Sequence, residues 1–148
     1  MVFSIVRGGQ LKVKAHGVEM IVDYGYIGNP TSENESLLDA NVYLKNYSAD
    51  TLHLVVGPTL GPRYSTGLVG YLAVLDSDNE GNTIKPSPGA LDIIELKSGE
   101  MAKLGHFRCS TQKADEGKII VFYDIDGSLP KFYPDVWAHK LSVNIDIK

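Results

Sequence analysis

Residues 37–56 read LLDANVYLKNYSADTLHLVV, and the reading of this stretch decides the fold. Leu38, Ala40, Val42 and Leu44 alternate with Asp39, Asn41, Tyr43 and Lys45. Successive side chains of a strand point to opposite faces, so the pattern predicts a strand with one dry and one wet face. Asn46 to Asp50 supplies turn formers, after which Leu52, Leu54 and Val56 resume the alternation. The stretch therefore predicts a hairpin laid across a sheet.

The same logic extends outward in both directions. Toward the N-terminus, Phe3 and Ile5 open a short strand that ends at Gly8-Gly9, and Leu11, Val13 and Ala15 form a second. Gly17 turns the chain, and Val18, Met20, Val22 and Tyr24 continue inward, with Ile21 breaking the pattern as if both faces were partly covered. Gly25 to Ser36 lacks alternation and predicts a long loop, with capping-box spacing between Ser32 and Glu35.

Toward the C-terminus, Gly57–Gly67 predicts a loop stiffened by Pro58 and Pro62. Leu68–Leu75 and Ile119–Ile125 are apolar on both faces, as central strands are. Ser98-Gly99 predicts a two-residue hairpin between Leu91–Leu96 and Met101–Phe107. Asp126–Asp135 is a loop, and Leu141, Val143, Ile145 and Ile147 face inward from a closing strand. Many short strands with turn signals between them predict one all-β domain over residues 1–148. Its expected form is a two-sheet antiparallel β-sandwich, an immunoglobulin-like Greek key, with a jelly roll as the alternative.

Composition restricts the partners. With 148 residues the chain can bury roughly 70% of its unfolded surface and needs no staples. Net charge is −4 and the basic residues are scattered singly, which argues against nucleic acid. No apolar run approaches the roughly 20 residues that would cross a bilayer, so no membrane insertion is expected. The N-terminus reads as a strand, not a signal peptide, and the single Cys109 forms no internal disulfide. A cytoplasmic chain, or one exported without a conventional signal peptide, is expected.

From Leu38 onward the order of elements resembles an immunoglobulin-like sandwich: LKNYS ending a strand, the LDSDNEGN turn, IIELKSGEMAKL, then ADEGKIIVFYDI and a closing strand. Asp115, Gly117, Ile119 and Val121 resemble the corner before the sixth strand of that family. The family's Tyr and Cys at the places of Ile119 and Val121 are absent, as is its Trp. The resemblance is similar to fibronectin-like modules, bacterial adhesion domains and small proteinase inhibitors. It implies an architecture and no role.

The richest candidate site is the loop DGSLPKFYPDVW at residues 126–137. Phe132, Tyr133 and Trp137 stand close together on a proline-restrained segment, and rigid aromatics are what sugar rings and protein partners stack on. The competing expectation is that Phe132 and Trp137 fold back over the core. Arg63 and Tyr64 are contact-type residues on the Gly57–Gly67 loop. Asp124, Asp126 and Asp135 flank the aromatic loop and suggest a cation site, though a hard cation wants six or more oxygens. Asp76 to Gly81 starts like a calcium loop, but its twelfth position is Ser87 where a carboxylate is required. No cofactor is expected, with calcium the one alternative.

His16, His53, His106 and His139 are dispersed and read as strand-surface residues. No recognisable catalytic constellation is present, so an enzyme is not expected. The expected function is a non-catalytic module whose end loops bind a carbohydrate or a protein partner. The alternatives are a structural subunit that homo-oligomerises through a sheet face and a small proteinase inhibitor that inserts the Gly57–Gly67 loop.

Overall fold

Alternation becomes antiparallel pairing from the first element. Strand β1 (Ile5–Ala15) turns at His16-Gly17 into β2 (Val18–Asn29), with Ala15 opposite Val18. His16 and Gly17 both hold positive φ, 52° and 85°, the signature of a two-residue turn whose twist matches its strands. In this computed structural model the described residues are 5–29, 32–56, 61–63, 68–73, 80, 92–110 and 118–146.

Ten strands run through these residues, and no α-helix does. Strand β3 (Ser32–Asn46) pairs with β2 and with β8 (Met101–Ser110), giving the sheet order β1-β2-β3-β8, antiparallel throughout. A second sheet runs β10-β9-β6-β5, from β10 (Lys140–Asp146), β9 (Lys118–Ile125), β6 (Leu68–Ala73) and β5 (Gly61–Arg63). Strands β4 (Leu52–Val56) and β7 (Asp92–Leu96) form a two-stranded ribbon.

Several expectations are corrected. Leu37–Val56 is not a hairpin: β3 and β4 lie in different sheets, and the chain passes from one to the other at residues 47–51. Ser98-Gly99 likewise joins the ribbon to the first sheet and closes no β7–β8 pair. The physical reason is that alternation fixes which face a residue takes but not which strand it hydrogen-bonds to. Within 25–36 the backbone is paired, Gly25 opposite Asp39 and Gly28 opposite Ser36, where a loop was expected. Gly8-Gly9 does not end a strand. The register shifts just before it, between Ile5 and Gly8, and a Cβ at Gly9 would fall 2.9 Å from the Tyr24 hydroxyl, so the glycine makes room for a ring. Finally, β6 pairs with β9 in parallel, which departs from a purely antiparallel design.

The core draws on all three sheets. Val22, Leu38 and Val42 from the first sheet meet Leu54 and Val55 of the ribbon and Ile119, Val121 and Tyr123 of β9, all fully or nearly fully buried. Burying each such side chain is worth about 1.5–3 kcal/mol. Phe122 on the opposite face of β9 is also buried, and so is Ile21, between Lys12 and Tyr43 in register. No helix among the described residues is long and apolar enough to cross a membrane.

One polar residue ties the layers. Asn46 is fully buried. Its Nδ2 donates to the carbonyls of Asp50 (2.7 Å) and Leu96 (2.8 Å), and its Oδ1 accepts from the Ser48 N–H and hydroxyl. Its main chain donates to Glu100 and accepts from Gly99. Both inter-layer connections are thereby held against each other, and Tyr47 N–H donates to Gly17 to bring in the first turn.

Candidate functional site

The aromatic loop is built from its ends inward. Asp126 Oδ1 accepts the Ser128 N–H at 2.7 Å, a local turn that leads into the 3-10 segment Leu129–Lys131. Leu129 is fully buried and anchors the segment, while its carbonyl accepts the N–H groups of Phe132 and Tyr133, each at 2.9 Å. Val136 bridges to His53 of β4 in parallel, and Trp137 N–H donates to the His53 carbonyl at 2.8 Å. The loop is therefore a covered strap with its tip at Pro134 and Asp135, both exposed.

Trp137 is 6% exposed and belongs to the core. Its indole lies 5.6 Å from the Tyr123 ring, and its Nε1–H donates to the His16 carbonyl at 2.9 Å. Phe132 is half-buried. Tyr133 lines a surface hollow of about 190 Å³ together with His53, Ile93, Pro134, Asp135 and Val136. His53 Nε2 stands 3.4 Å from Glu95 Oε1 on the neighbouring strand, so the apolar seat is bordered by one carboxylate, Asp135, and by an imidazole that is itself paired to a second.

The expected site residues thus divide. Tyr133 and Asp135 come together at the hollow, and Trp137 leaves the surface. Arg63 ends β5, its side chain outside the described residues, as are Tyr64 and most of the Gly57–Gly67 loop proposed for protease insertion. Of the calcium-like stretch 76–81 only Glu80, exposed in a turn, is described. Among the described residues no three His, Cys, Asp or Glu side chains converge, so Asp124, Asp126 and Asp135 are not brought together. Asp126 is committed to its own turn, and Asp135 lies across the strap at the hollow.

Two further polar groupings were hidden from the sequence. On the outer face of the first sheet, Asp39 accepts from Arg108 Nε and Nη2 (2.9 and 2.7 Å) and lies 2.8 Å from His106 Nε2. Burial would raise the Asp39 pKa, but the hydrogen bonds and charges of Arg108 and His106 outweigh it and hold the carboxyl below its ordinary value. Near the strap, the His16 and His139 rings stack face to face, 3.7 Å between centroids and 9° apart. His139 also meets the Trp137 ring edge-on at 5.0 Å. Burial first, and then the charge of His16, push the His139 pKa below its ordinary value.

His53, Ile93 and Val136 carry no local signal of a site. The wall they form exists only because the strap bridges to β4, whose ribbon partner β7 carries Ile93. No protein-family model, curated protein or solved structure matches this chain.

Proposed function

We propose that the chain is a β-sandwich that works as a non-catalytic binding module, and that the hollow beside Tyr133 receives a single sugar ring. The observation that carries this reading is the lining itself. A phenol ring and an apolar floor of Ile93, Pro134 and Val136 sit beside Asp135 and the His53–Glu95 pair. The apolar C–H face of a pyranose packs on an aromatic ring, while its hydroxyls need fixed acceptors and donors. Hydrogen bonds to charged groups contribute about 1.5–3 kcal/mol each, enough to orient a ring. Size points the same way: drug-sized pockets run roughly 300–1,000 Å³, and about 190 Å³ suits one ring.

A glycan array followed by titration calorimetry tests the reading. Wild type should retain glycans with an exposed terminal ring, and Tyr133→Ala and Asp135→Asn should each lose about tenfold in affinity, some 1.4 kcal/mol. Glycan binding that is unchanged in Tyr133→Ala would end the proposal. Retention of a protein partner lost in Tyr133→Ala, with no glycan retained, would assign the hollow to protein recognition.

A further inference from the structure

We infer that the His16–His139 ring stack is a pH-sensitive fastener: it holds the strap that walls the hollow at neutral pH and releases it on acidification. The regulatory consequence rests on the hollow being the binding site; the fastener itself does not.

The geometry has three parts. First, the stack joins two elements far apart in sequence, the β1–β2 turn and the segment entering β10. Face-to-face imidazoles at 3.7 Å are compatible when at least one is neutral, whereas two imidazolium rings at that spacing repel. Second, both histidines are tied to the strap. His16 accepts the Trp137 indole N–H, His139 packs on the Trp137 ring, and the His139 carbonyl accepts the Ile125 N–H at 3.0 Å. Third, Trp137 continues directly into the wall of the hollow: its N–H donates to His53, and Val136 N–H donates to Tyr133. His16 also sits at positive φ, as the two-residue turn requires, a region that His and Asn enter more readily than most residues.

Among the described residues no acidic side chain bonds either ring of the pair. Lys14 and Glu19 bond each other at 3.6 Å, and Lys14 lies 5.2 Å from the centroid of the Tyr47 ring. Asp124 and Lys140 are opposite each other on β9 and β10, Asp126 is bound into its turn, Asp50 joins the Asn46 network through its main chain, and Glu95 partners His53. Face-to-face rings send their in-plane nitrogen lone pairs along parallel directions, so the arrangement is not a metal clamp. With His139 titrating below a free histidine, the unfolded chain takes up a proton first. The stack's contribution is present above about pH 6.5 and is lost as pH falls through the folded-state value.

The test follows the Trp137 indole proton and the Val136 and Trp137 amides by NMR hydrogen exchange. It runs from about pH 8 to about pH 5, corrected for intrinsic rates, which brackets a free histidine. In wild type the three protons should lose protection together, by about tenfold for each unit that His139 is displaced. His139→Phe keeps a ring on Trp137 without a titrating nitrogen, and His16→Asn tolerates the positive φ. His139→Phe should hold protection level across the range, and His16→Asn, which leaves burial alone acting on His139, should lose less than wild type; if one fails to fold the other decides. Level protection in wild type, the same loss in both variants, or an indole that opens while the amides stay closed would each overturn the inference. A glycan that binds wild type should bind more weakly in parallel with opening, and should not do so in His139→Phe. Absence of glycan binding at every pH would count against the proposed function and leave the exchange result standing.

Discussion

The side chain of Asn46 donates to the main-chain carbonyl of Leu96 at 2.8 Å, across 50 residues of sequence. This bond joins the end of the first sheet's central strand to the end of the ribbon. It ties together two connections that each look like a hairpin but pass between the first sheet and the ribbon. The neighbouring bond from Ser98 Oγ to the Ser48 carbonyl, at 2.6 Å, reinforces the same junction.

Removing that junction should be costly. Asn46→Ala would leave the Leu96 and Asp50 carbonyls and the Ser48 N–H without their present partner. Each buried unsatisfied group costs about 1–3 kcal/mol, with incomplete additivity, so a loss of about 3 kcal/mol in urea unfolding is expected. Asn46→Asp should do no better, because a carboxylate cannot donate to Leu96. A loss under about 1 kcal/mol, the worth of one ordinary hydrogen bond, would contradict the assignment.

The same geometry bears on modification. Asn46-Tyr47-Ser48 is a glycosylation sequon, yet the amide nitrogen makes two hydrogen bonds in a fully buried side chain. Chain folded in a glycosylating cell should therefore be unmodified at Asn46, as intact-mass and peptide spectra would show. A folded product carrying a glycan there would refute the burial of this residue.

Leu129 pins the strap from inside. It is fully buried, so Leu129→Ala should destabilise the chain by about 2–5 kcal/mol, the range for large-to-small core changes. Phe132, half-buried, should cost less on truncation, and a thermal melt of the two variants gives the order. Equal losses would mean that the strap is held by its aromatics and not by Leu129.

Acid should loosen the outer face of the first sheet. The folded-state pKa of Asp39 is depressed, so its contribution is present above the unfolded carboxyl value of 3.8 and disappears as pH falls through the lower folded one. Arg108→Ala should bring the Asp39 titration, followed by carboxyl NMR, back upward, while costing about 1 kcal/mol or less at neutral pH because the guanidinium is half exposed. An unmoved titration would show that the pairing does not set it.

What the residues disclosed in advance was facing, not pairing. Leu38, Ala40, Val42 and Leu44 are all buried, and the doubly apolar β9 buries Phe122 as well as its core side. Pairing was hidden because a side chain's period says nothing about its hydrogen-bonded neighbour. The paired backbone around Gly28 and Ser36 was hidden because a long hairpin can hold polar and glycine residues against a partner without alternation. Tyr133 was legible as an aromatic on a restrained loop. The wall opposite it, His53 and Ile93, came from a ribbon that the sequence offered no reason to place beside that loop.

The most direct test of the central claim is a proton–nitrogen NMR titration of the folded chain with a panel of neutral monosaccharides. The account predicts saturable shifts confined to the amides of His53, Ile93, Tyr133, Asp135 and Val136 with at least one sugar. Shifts centred elsewhere on the chain, or none with any sugar at saturating concentration, would contradict it.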